Sequence, residues 1–159
     1  MPAVIPPISS VLLVVLGLLL VSAGIEDART REIANWKNAA IALLAPAWWW
    51  AAGLAPWPDI ALQIGVAALA LFAFALAFRF GWMGGGDVKL IAALALWFPV
   101  APLAWMLIVM SMAGGALTIV MVLDHAIARR EQPVEVPYGV AIAIAALLTL
   151  CEPILNQFP

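Results

Sequence analysis

The sequence predicts an all-α, polytopic membrane protein of six transmembrane helices, and three observations point there. Of 159 residues, 67% are hydrophobic and 10% charged, with a mean hydropathy of +1.12. The apolar residues gather in long runs, and most of the charges lie between those runs. A soluble domain of this length could not hide so much apolar surface, whereas a bilayer asks each spanning helix for about 20 apolar residues. A single domain over residues 1–159 follows. The net charge of -2 gives no reason to expect a nucleic-acid partner. The one cysteine, Cys151, allows neither an intramolecular disulfide nor an all-cysteine metal site. The opening lacks a positively charged stretch before its apolar run, so no cleavable signal peptide is expected.

The first span is predicted over residues 8–24, after a proline-containing tail. Residues 26–38 follow as an interfacial loop or helical extension carrying Arg29, Arg31 and Lys37. The second span, residues 39–54, contains Pro46, which predicts a kink, and Trp48-Trp49-Trp50, which predicts an aromatic belt near the opposite face. Pro56-Trp57-Pro58-Asp59 turns the chain into a third span over residues 60–80. The fourth run, residues 88–98, is short of a full crossing and reads as a short or bent helix before Pro99 and Pro102. The fifth span, residues 103–123, carries Gly114-Gly115 among small residues that permit close helix packing in lipid. A loop with Arg129 and Arg130 leads to a sixth span over residues 138–150. On this layout every Lys and Arg falls on one side, which is therefore expected to be cytoplasmic.

Between the third and fourth runs stands Met83-Gly84-Gly85-Gly86-Asp87-Val88-Lys89-Leu90. Three glycines admit a close approach by another chain, and Asp87 sits where a helix begins. It could simply cap that helix. The six-span layout gives it a partner, because Asp27 reaches the same membrane face from sixty residues away. Two carboxyl groups in one site do not both ionise cheaply, so one keeps a proton while the other accepts one from water. Such a pair can activate water against a peptide carbonyl without a metal or cofactor. The lone His125 has no second His and no neighbouring Cys to form a metal site, and it reads as an interfacial residue. Lys89 lies two positions beyond Asp87, about 200° round a helix, so it snorkels rather than pairing with it.

These residues resemble the GxGD aspartic proteases and, within them, the type IV prepilin peptidases. Gly84 through Leu90 is similar to that family's second-aspartate signature, and Asp27 through Asn35 to its first, with Ala34 where the family usually has proline. Val136-Pro137-Tyr138-Gly139-Val140-Ala141-Ile142-Ala143 is similar to the segment that opens the family's last helix. The resemblance implies an aspartic endopeptidase that removes a short basic leader from pilin precursors at the cytoplasmic face of the bacterial inner membrane. Asp27 and Asp87 would be catalytic, with Gly84, Gly85, Gly86, Lys89, Asn35, Pro137, Tyr138 and Gly139 forming the active-site loop and substrate contacts. No cofactor and no metal are implied, and the partners are the precursor and the lipid bilayer. Lacking the paired cysteines of larger members, the chain resembles the small, peptidase-only form that serves tight-adherence pili. A competing reading is a proton- or cation-coupled transporter using the same carboxylates. The absence of an inverted repeat and the surface placement of both aspartates weigh against it.

Overall fold

The computed structural model describes residues 7–128 and 136–155. Among them, the regular elements are helical: α1 (Pro7–Thr30), α2 (Asn35–Ala51), α3 (Ala61–Arg79), α4 (Gly85–Ala95), α5 (Val100–Ala128) and α6 (Tyr138–Leu155). A π-type turn at Pro56–Ile60 leads into α3. Each apolar run of the sequence has become one helix. Among the described residues, three stretches are long and apolar enough to cross a membrane: Ile8–Thr30, Pro56–Arg79 and Val100–Asp124. The basic pair Arg129-Arg130 lies outside the described residues.

Two helix ends and one proline can be set beside the sequence expectation. Helix α1 runs past Gly24 to Thr30, so of the two expectations for this segment the helical extension holds as far as Thr30, and Asp27 stands on it. It stops where Arg31 takes a left-handed φ of 58° while donating its amide to the Asp27 carbonyl at 3.0 Å. Helix α5 starts at Val100, with Pro102 in its first turn, where a missing amide hydrogen costs no helical bond. Pro46 lies inside a helix that is continuous from Asn35 to Ala51.

The tryptophan cluster also departs from a lipid-facing belt. Only Trp50 is fully exposed, whereas Trp48 stacks on Trp97 at 5.7 Å and Trp49 is buried. The reason is α4, which is only 11 residues long and ends inside the protein. The carbonyls left free at such an end need donors, because neither lipid nor core supplies them. Trp49 Nε1 donates to the Leu96 carbonyl at 2.7 Å, and Gln63 Nε2 donates to those of Ala95 and Phe98 at 3.0 and 2.6 Å. Trp97 Nε1 returns the favour to the Ile41 carbonyl at 2.8 Å.

Helix α4 is thus the central element and packs on α2, α3 and α6, while α6 lies between α1 and α5. The core is formed by Leu16 and Leu20 of α1, Ile41 of α2, Leu90, Ile91 and Leu94 of α4, Met106 of α5 and Ile142 of α6. This arrangement gathers the end of α1, the α3–α4 turn and the start of α6 at one end of the bundle.

Candidate active site

At that end Asp27 and Asp87 line one cavity of about 520 Å³. Both are almost fully buried. Asp27 comes from the last turn of α1, and its Oδ2 accepts a hydrogen bond from the Val140 amide at 3.2 Å. That amide belongs to the first turn of α6, whose free N–H groups and positive dipole end favour a carboxylate. Gly139 makes the approach possible. A Cβ on it would stand 2.8 Å from Asp27 Cγ and 2.7 Å from Ile33 Cδ1, closer than real contacts allow.

Asp87 reaches the cavity from the first turn of α4. The cap position itself belongs to Gly84, and Asp87 stands three residues further on, with the Gly84 backbone close to its carboxyl. Burial first, and the neighbouring Asp27 charge second, push the Asp87 carboxyl up to about 6, against the pull of the Gly84 amide. The capping role that a Gly-Asp pair suggests is therefore partial. It coexists with a carboxyl that is costly to ionise beside a second one.

The other residues singled out by sequence separate into two groups. Gly84 and Tyr138 line the cavity with the aspartates. Gly85 lies under the Phe78 ring, Gly86 packs on Ile33, and Pro137 is a buried residue whose carbonyl accepts the Val140 amide at 3.2 Å. Lys89 and Asn35 are elsewhere. Lys89 Nζ donates to Asn35 Oδ1 at 2.7 Å, and both line a second cavity across α4. The two-residue step from Asp87 to Lys89 turns the side chain to the other face of the helix.

The cavity is completed by Thr30, Arg31 and Glu32 from the α1–α2 loop and by Gly81, Trp82 and Met83 from the α3–α4 turn. Sequence reading gave Glu26 no part and Ile33 only a place within the first motif, yet both hold this end together. Glu26 Oε2 accepts the Ala34 amide at 3.0 Å and pairs with Lys37 at 3.0 Å; Lys37, nearly buried, also donates to the Ser22 carbonyl. That clamp folds the loop back on α1. Ile33, itself in the first motif, then fills the space between Gly86 of the second and Gly139 of the third. The spacing of Glu26 and Lys37 across a loop was the available signal; nothing in the sequence marks Ile33 as the common contact.

The sequence pattern of the type IV leader peptidase family matches residues 13–119. The chain belongs to this family. It is a membrane leader peptidase, and the matched stretch carries both Asp27 and Asp87. Tyr138 and Gly139 fall beyond the match, so the place of Tyr138 at the cavity and of Gly139 against Asp27 is a contribution of the fold. No curated protein and no solved structure matches this leader peptidase.

Proposed function

We propose that this leader peptidase is an aspartic endopeptidase of the GxGD type, cleaving the leader from membrane-anchored type IV pilin precursors, with Asp27 and Asp87 as its catalytic pair. The observation that carries the reading is the meeting of two buried carboxyl groups from segments sixty residues apart in one cavity. The Val140 amide holds Asp27 in place by a hydrogen bond, and in this reading Asp27 is the base that takes a proton from water. Asp87, whose proton is held up to about pH 6, gives that proton to the carbonyl oxygen as the hydroxyl adds. Collapse of the resulting diol returns a proton to the departing amine. Neither a metal nor a covalent intermediate enters these steps.

The same reading makes the chain a single six-span domain of the bacterial inner membrane. Its basic residues Arg29, Arg31, Arg79 and Lys89 lie at the end that holds the pair, which is therefore the cytoplasmic end. The substrate is a pilin precursor of the tight-adherence type, presenting its leader there. Asp27→Asn and Asp87→Asn keep size and most hydrogen-bonding capacity, so a capping role predicts near-normal cleavage. The peptidase reading predicts that each loses roughly 10² to 10⁴-fold in rate while still inserting in the membrane. The double variant should be little worse than either single one, because the pair acts as a unit. Near wild-type leader release by either folded single variant would end the assignment.

A further inference from the structure

Asp87 is delivered to the catalytic cavity by the first turn of α4, and that turn is nearly bare of side chains. Gly84 precedes the helix, and Gly85 and Gly86 open it. Val88, Leu90, Ile91 and Leu94 bury themselves in the core, but apolar contact has no preferred direction. A directional contact at the start of α4 would fix its rotation where it carries Asp87.

Asn38 of α2 makes such a contact. It is 5% exposed, and its Nδ2 donates to the carbonyl of Gly86, the residue before Asp87, at 3.2 Å. The bond is not needed to satisfy that carbonyl. Trp49 and Gln63 serve carbonyls that the end of α4 leaves open, whereas Gly86 stands at its start, where the regular helix pattern supplies the amide four residues on. Nor is the asparagine there for stability. Its Oδ1 is buried with no hydrogen-bond partner among the described residues, a cost that leucine, of similar shape, would not carry. Two further contacts hold the same turn. Ile33 packs so closely on Gly86 that a Cβ built there would lie 3.3 Å from its own Cβ. About one turn on along α4 and one turn back along α2, Lys89 Nζ donates to Asn35 Oδ1 at 2.7 Å, a second tie between the two helices but an exposed one.

The surface of a helix lies about 5 Å from its axis, so rotating α4 by about 12° carries a side chain on it by about 1 Å. A displacement of that size can cost about 10²-fold in rate when it separates groups that must act together. We propose that Asn38 is a positioning residue of the peptidase: by holding the Gly86 carbonyl it fixes the rotation of α4, and with it the place of the Asp87 carboxyl against Asp27. The proposal rests on the peptidase reading and adds to it a residue of the second cavity, across α4 from the aspartates.

Asn38→Leu removes the tie and keeps the volume. Cleavage of a precursor peptide should fall by about tenfold or more in kcat, with KM within about twofold, because Asn38 does not line the cavity that holds the aspartates. The unfolding midpoint should hold or rise. The pH at which cleavage declines should move down, since closeness to Asp27 is part of what raises the Asp87 carboxyl. Arg31, Glu32 and Tyr138, the other titratable residues lining the cavity, are unaltered in this variant.

An unchanged kcat would overturn the proposal. So would a lower unfolding midpoint with the pH dependence unmoved, which is the mark of a merely structural asparagine. Asn38→Ala, which adds no bulk, answers the same questions should leucine not fit. Asp87→Asn runs alongside. Loss of cleavage in Asp87→Asn with normal cleavage in Asn38→Leu overturns the positioning role alone, whereas full cleavage by Asp87→Asn overturns the peptidase reading and this role with it.

Discussion

Asp87 shows how much one side chain's surroundings change its chemistry. On the surface its proton would leave near pH 4, but here burial and the facing Asp27 hold it to about 6. Between those values the folded protein binds the proton and the unfolded chain does not, so stability falls as pH rises through this window. If Asp87 is the acid proposed above, the same shift keeps its acid form available, and cleavage should decline as pH rises through about 6, the limb belonging to the pair rather than to one residue. Initial rates on a precursor peptide across that range check this; a rate flat through it contradicts the assignment of Asp87 as acid. Gly139 is the second residue on which the site turns. Gly139→Ala would place a methyl group 2.8 Å from Asp27 Cγ, so either α6 or Asp27 must move. A displacement of this size should lower kcat by roughly 10²-fold with the protein still folded, read by cleavage beside a thermal unfolding scan. Asp27, Asp87, Tyr138 and Gly139 were legible because motifs mark them. Ile33 and Glu26 were not, because their importance lies in contacts between segments distant in sequence.

At the scale of helices, α5 supports the site from behind without lining it. The sequence offered Gly114-Gly115 as one small-residue pair, yet the two face different surroundings. A Cβ on Gly114 would lie 2.7 Å from the Tyr138 ring, and one on Gly115 would meet nothing within 4 Å. Thr118, one turn on, sits 3.4 Å from the Tyr138 hydroxyl. Gly114→Ala should therefore push Tyr138 toward the aspartates and reduce leader cleavage by about 10-fold or more. Gly115→Ala should leave cleavage near normal and add up to about 1 kcal/mol of helix stability. Cleavage rates and unfolding midpoints of the two variants, measured side by side, separate them; equal losses would remove α5 from the account. Helix α4 teaches the same lesson through its end. Its shortness was plain from Pro99 and Pro102, but the donors that satisfy its last carbonyls, Trp49 and Gln63, come from α2 and α3 and carry no sequence mark of that duty.

For the whole molecule, the six-span reading and the one-sided basic charge give an orientation that can be checked directly. In a Cys151→Ser background, single cysteines at Arg29 and at Asp59, both exposed, should label from opposite sides: Arg29 from the cytoplasm and Asp59 from outside. Labelling of both from one side would break the six-span topology. Hydropathy by itself determined that the chain is a helical membrane protein, because long apolar runs have one low-energy solution in a bilayer. Local motifs by themselves determined the family and the two aspartates, because backbone and charge requirements of a turn or helix start are written in adjacent residues. Only the tertiary structure decided which residues each side of α4 meets. It put Asp87 with Asp27 and Tyr138 on one face, and Lys89 with Asn35 on the other. That sorting depends on helix rotation and on which helices pack together, and those are fixed by close packing among many residues rather than by any one stretch.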